Sequence, residues 1–368
     1  MSSSTSYVSV LDDDSLLGNV SFSEAVMRGF APDGGMYWPG EVPKFGRDEL
    51  KELASCSYRE KVEIILSKFL TDKDEDFKEE DLKDIFEHND PFERFGDSKV
   101  LKTKTIDALD LDVVELWHGP TLAFKDLGMC VLARVLERIV KKRNAKLTLL
   151  VGTSGDTGSA AAEAVRGLDN INLFVLYPKR DFSAITSIQE RQMTVVSEKE
   201  PNVNCVAVRT LSIHSLTHSL THSLTQVEGG SDALDVPIEN LFRTDAKRLF
   251  LGSVNSVNIV RLVVQTVHYF HIYLNAFPNL DGKMVFHVPS GAGGRTFISL
   301  SLSLSLCVLF SITHSRTHAH THTTTTTTTT TQTLQRVFLH LKWDYRIRVL
   351  LLQQMRTVHC MSSFRHGS

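Results

Sequence analysis

A lysine set between a phenylalanine and an aspartate, in the run WHGPTLAFKDLG from Trp117 to Gly128, is the residue of this sequence best placed for covalent chemistry. Lys125 falls in the first turn of a predicted helix, where the positive end of the helix dipole disfavours an ammonium, and Phe124 adds an apolar flank. An unprotonated amine is a nucleophile toward carbonyl groups. Taken alone, such a lysine is commonly a solvated surface residue. Two glycine-rich runs could hold anions. VGTSGDTGSAAAEA (Val151 to Ala164) reads as strand, loop and alanine-rich helix. Gly155 and Gly158 permit close backbone approach there, and the N–H groups from Ser154 to Ser159 form an anion site. Neither a Gly-Lys-Ser/Thr nor a G-x-G-x-x-G is present, so this is no Walker loop and no dinucleotide fingerprint. VPSGAGG (Val288 to Gly294) repeats the same logic after another strand. Each loop by itself is also what an ordinary strand-to-helix turn looks like.

Histidines offer a rival chemistry. His314, His318, His320 and His322 stand close together, and His214, His218 and His222 recur on one helical face. Both sets sit in simple repeats. Ile213 to Gln226 holds SLTH in tandem, which a repeated TCAC tetranucleotide encodes. Ser299 to Leu306 alternates Ser and Leu as a CT repeat would, and Thr317 to Thr331 runs from Thr/His alternation into polythreonine as AC-rich repeats would. These runs read as non-coding DNA translated in frame; a low-complexity linker explains the composition but not the codon arithmetic. No carboxylate accompanies the histidines as a supporting shell, and no metal is assigned.

The rest of the chain has to position those loops. The 368 residues suffice for more than one compact unit, and 42% hydrophobic with 23% charged residues is ordinary globular composition. A net charge of -3 gives no reason to expect nucleic acid or an acidic membrane as partner. The acidic stretch from Thr71 to Glu87 carries interspersed lysines and apolar residues, which predicts a solvated amphipathic helix. The five scattered cysteines show no C-x-x-C pair and fit reduced thiols. The N-terminus shows no signal peptide, and no apolar run is long enough to span a membrane, so the expected location is cytoplasmic, with a mitochondrial one left open. Residues 1–111 read as a mostly helical region, including a helix from Asp48 to Phe69. From Asp112 strands alternate with helices: strands at Leu147–Gly152, Asn172–Pro178, Val203–Val208 and Lys283–Pro289, and helices at Lys125–Arg143, Thr157–Arg166, Ala184–Val195, Ala233–Phe250 and Ser256–Asn275. That alternation predicts an α/β doubly wound parallel sheet over 112–294, interrupted by a low-complexity insert at 209–226. Ligands of such sheets sit at the carboxyl ends of the strands. Residues 295–368 read as a low-complexity, unrelated tail, expected to be disordered, that replaces the C-terminal part of the fold.

Taken together, these runs resemble the threonine synthases and their animal threonine synthase-like relatives, which are fold-type II pyridoxal-phosphate enzymes. HGPTLAFKD resembles the family's lysine motif, GFAPDGGMYWP its N-terminal signature and GTSGDTGSAA its second motif. SVNSVNIVR (Ser253 to Arg261), VEGGSDALDVPI and VPSGAGG follow in family order. The resemblance covers about Val20 to Gly294. It departs at the opening, where YVSVLDD lacks an expected arginine, and after Gly294, where Arg295 stands for an expected Asn.

The resemblance implies roles and activities. Lys125 would bind pyridoxal 5'-phosphate covalently and shuttle the substrate's α-proton. Ser154, Gly155, Asp156, Thr157 and Gly158 would hold the substrate carboxylate, and Ser290, Gly291, Ala292, Gly293 and Gly294 the cofactor phosphate. Ser256, Asn258 and Arg261 would meet the substrate phosphate. The implied partner is a small phosphorylated amino acid; oligomeric state is left open. The implied activity is a phospho-lyase that turns O-phosphothreonine or phosphohomoserine into 2-oxobutyrate, ammonia and phosphate. A threonine synthase acting on O-phosphohomoserine is the alternative within the family. A truncated, inactive binding or interaction protein is the alternative outside it.

Overall fold

The structure, a computed structural model, describes residues 6–12, 17–71, 73–96, 100–109, 111–153, 155–178, 187–208, 232–256, 258–282, 284–290, 309–314 and 347–352. The insert expected at 209–226 lies outside the described residues.

The opening residues form β1 (Tyr7–Ser9), which pairs antiparallel with β2 (Tyr37–Pro39). Tyr7 is fully buried and its hydroxyl donates to Phe69 O at 2.6 Å, so the opening is part of the core. Between the two strands lies α1 (Phe22–Arg28), capped by Ser21. The helix expected from Asp48 to Phe69 is two helices, α2 (Arg47–Ser55) and α3 (Tyr58–Ser67). The break is a restart signal: Ser57 accepts from the N–H of Glu60, whose carboxylate accepts from the N–H of Ser57. The acidic run supplies the amphipathic α4 (Glu79–His88), but its first carboxylates precede the helix. Asp74 is buried and accepts from both the N–H and the hydroxyl of Ser23, fixing the start of α1.

Two larger sheets follow. One joins β3 (Lys102–Ile106), β4 (Leu111–Glu115), β9 (Met284–Ser290), β10 (Leu309–His314) and β11 (Ile347–Leu352) in the order β10-β9-β11-β4-β3, with only β3 antiparallel to its neighbour. Strands β10 and β11 come from the segment read as an unrelated tail.

The other sheet is wholly parallel: β5 (Leu147–Gly152), β6 (Ile171–Pro178), β7 (Val203–Val208) and β8 (Leu251–Gly252), ordered β7-β6-β5-β8. Its connections are α5 (Lys125–Lys142) ahead of β5, α6 (Asp156–Val165), α7 (Ser187–Ser197), α8 (Asp232–Thr244) and the short α9 (Ala246–Leu249). Alternate residues of one strand enter different apolar clusters. Leu149 and Val151 join the main core, whereas Leu150 packs with Leu234, Ile238 and Leu241 of α8. The sheet is therefore covered on both faces, as a doubly wound arrangement requires. The last described helix, α10 (Ile259–Ala276), is buried nearly all round and packs against α2, α3 and α5.

Candidate active site

Strand β4 delivers the chain into the run from Trp117 to Lys125, and α5 begins at Lys125 itself. The loop is locked from behind by the next residue. Asp126 is fully buried; its carboxylate accepts from the Thr121 N–H at 2.8 Å and the Thr121 hydroxyl at 2.6 Å. Gly119 makes that possible, because a Cβ there would lie 2.5 Å from Asp126 Oδ2. Leu122 takes a left-handed φ of 58° to close the turn. Lys125 is thereby held half-buried, with Nζ 5.6 Å from the centroid of the Phe124 ring. Burial raises the Asp126 carboxyl to about 6, with the negative charge of Glu163 adding to it and the Thr121 bonds opposing it.

The glycine loop after β5 is closed by Thr153, a buried residue. Its Oγ1 accepts from the N–H of Gly155 at 3.0 Å and of Gly158 at 3.2 Å. The loop thus folds around the Thr153 hydroxyl, which takes up two of its amides. Gly158 admits no side chain: a Cβ would stand 2.5 Å from Met193 Sδ and 2.6 Å from Thr153 Cγ2. Replacing Thr153 with valine keeps the shape and removes the acceptor, leaving two buried N–H groups without one. We expect a loss of about 1–3 kcal/mol in chemical denaturation; an unchanged midpoint would show that the hydroxyl does not hold the loop.

Helix α7 touches both loops, a feature the sequence reading missed. Gln189 Nε2 donates to Asp156 Oδ1 at 2.6 Å, and Gln192 Nε2 donates to the Thr121 carbonyl at 3.2 Å. Glutamines in an amphipathic stretch carry no local signal of such a role; only the spacing of three placed them on one face.

The remaining expected residues are placed as follows. Asn258 caps α10, accepting from the Val260 N–H and donating to Val26 O and Ser253 O. Arg261 is buried and donates from Nη1 to Val254 O at 2.9 Å. Both side chains thus bind backbone, and of the expected phosphate-contact trio Ser256 is the exposed member. Ser290 ends β9, while Ser154, Gly291, Ala292, Gly293 and Gly294 lie outside the described residues. The repeat histidines lie outside the residues whose side chains are described. Among the described residues no group of His, Cys, Asp and Glu could hold a metal, and no helix is long and apolar enough to cross a membrane.

Known proteins resemble this chain over most of its length. Residues 6–89 match the family model described as threonine synthase N terminus, starting ahead of Val20 and taking in β1. Threonine synthase-like 2 of Mus musculus is 36% identical over 281 residues, 75% of this chain and 52% of that protein. Among solved structures, the PLP-bound threonine synthase from Brucella melitensis superposes with a TM-score of 0.66 at 30% identity, over 83% of this chain and 60% of that one. The threonine synthase from yeast gives 0.68 at 28% identity, over 84% and 58%. The chain spans about half the length of the curated relatives it matches.

Proposed function

Over the part it shares with them, this chain belongs to the threonine synthase family and has the fold-type II α/β architecture of those enzymes, and from that premise we propose that it acts as a pyridoxal-phosphate-dependent phospho-lyase on O-phosphorylated amino acids. The observation that carries the reading is the placement of Lys125: a half-buried primary amine at a helix start, over an aromatic ring, on a loop clamped by a buried carboxylate. That is a donor an aldehyde cofactor can use. When bound, pyridoxal phosphate withdraws electrons from a substrate's α-carbon and so acidifies its hydrogen.

Lys125 Nζ is then the group that receives and returns that proton. The loop from Ser154 to Gly158 orients the substrate by its carboxylate. Since Thr153 Oγ1 already binds the Gly155 and Gly158 amides, the carboxylate displaces it or uses the first amides of α6. Ser290 to Gly294 hold the cofactor phosphate. Ser256 offers a hydroxyl toward the substrate phosphate, with Asn258 and Arg261 fixing the start of α10 behind it. From O-phosphothreonine the β-phosphate leaves once the α-proton is taken; from O-phosphohomoserine a β-proton must also be removed before the γ-phosphate leaves. In both cases water hydrolyses the unsaturated amino acid to 2-oxobutyrate and ammonia.

The test is to incubate the 368-residue chain with pyridoxal phosphate and either O-phosphothreonine or O-phosphohomoserine. Phosphate, ammonia and 2-oxobutyrate in equal amounts, with no threonine, is the expected result. Threonine from O-phosphohomoserine would make it a synthase. No product and no cofactor absorbance would make it a binding or interaction protein.

A further inference from the structure

We propose that Gln189 and Gln192 are positioning residues, a two-pronged bracket on α7 that holds the Lys125 loop and the Gly155–Gly158 loop in a fixed relation. The prongs leave one helix three residues apart, so they project from the same face. Gln189 grips Asp156, the first residue of α6, at 2.6 Å. Gln192 grips the Thr121 carbonyl at 3.2 Å, and Thr121 in turn binds Asp126 beside Lys125. One prong therefore bonds the first turn of α6 directly, and the other reaches the first turn of α5 through Thr121.

The fit around the bracket is tight. A Cβ on Gly155 would collide with the Gln189 amide, and one on Gly158 would stand 2.5 Å from Sδ of the buried Met193. Glycine at 155 and 158 is thus matched to α7 as well as to an anion. The chemistry of the prongs also fits. A carboxylate and a carbonyl can only accept, and a neutral amide donates to either without adding charge beside the buried Asp126. A glutamate in either place has the same length and no donor when ionised.

The proposal rests on the cofactor-lysine reading for its functional consequence only, and the test separates the two. Hydrogen exchange is measured on the cofactor-free 368-residue chain and on Gln189→Ala, Gln192→Ala and the double variant. The reporters are the amides of Thr121, Gly155 and Gly158, all hydrogen-bonded. We expect Gln192→Ala to speed exchange by about tenfold at Thr121 and also at Gly155 and Gly158, with the double variant falling short of the product of the singles. Effects confined to each variant's own loop, and multiplying independently, would overturn the bracket.

The second readout is the rate at which borohydride fixes pyridoxal phosphate on the chain. Gln192→Glu should be slowed about tenfold, like Gln192→Ala, whereas Gln192→His, which keeps a neutral donor of similar reach and cannot itself be fixed, should recover most of the rate. A space-filling role would favour the isosteric glutamate over histidine, and that order would also overturn the proposal. If the wild-type chain takes up no cofactor, the proposed function fails while the exchange result still decides the bracket.

Discussion

Raising the pH from about 3 to about 7 should cost the chain roughly 3 kcal/mol of stability through Asp126 alone. The carboxyl is raised from 3.8 to about 6 by burial in the folded chain. Between those values the unfolded chain has already released the proton that the folded chain keeps. The unfolded state binds fewer protons there, so stability is full below the unfolded value, falls as pH rises through about 6, and is level above it. Asp126→Asn removes the titration while a carboxamide can still accept from the Thr121 N–H and donate to the Thr121 hydroxyl. Its stability should therefore lack this slope and match or exceed wild type at neutral pH. Asp126→Ala also lacks the slope but should be weaker than Asp126→Asn at every pH, because it strands the Thr121 N–H at a cost of about 1–3 kcal/mol. Denaturant midpoints measured across this range decide the matter: identical slopes in wild type and Asp126→Asn would mean that the group titrates elsewhere.

Lys125→Ala should abolish the absorbance that pyridoxal phosphate gains on binding, and reduce borohydride-fixed cofactor to background. The loss is total because no other primary amine occupies the head of α5. It should leave the fold intact. Lys125 is only half-buried, and alanine is a good residue for a first helical turn. Lys125→Arg sharpens the result: it keeps a long side chain able to reach over the ring but cannot form the covalent link, so it should also be silent. Cofactor fixed at wild-type level in either variant, with unchanged melting, would remove Lys125 from the chemistry.

How much of this was legible in the sequence depended on whether the signal was local. Three strands of the parallel sheet are legible almost residue for residue, since runs such as Leu147–Gly152 and Val203–Val208 are short, apolar and ended by turn residues. The two-residue β8 is too short to show, and the strand at Met284–Ser290 joins the other sheet. The start of α5 at Lys125 was also legible. The pairing of Tyr7 with Pro39 was not, because strands of three residues carry no periodicity. Asp74 looked like one more solvated carboxylate until the fold brought Ser23 to it. The site divides in the same way. Lys125 and the glycines stand out by type and order as candidates. Thr153, Gln189 and Gln192 act through contacts made by folding, and Asn258 and Arg261, read as ligand contacts, turn to backbone carbonyls in a buried helix start.

The central claim is that Lys125 is the cofactor lysine, and peptide mapping tests it most directly. The 368-residue chain is incubated with pyridoxal phosphate, reduced with borohydride, digested and sequenced by mass spectrometry. The account predicts a single major pyridoxyl adduct, on Lys125 within the fragment containing HGPTLAFKD. An adduct spread over surface lysines, or concentrated on any lysine other than Lys125, would contradict it.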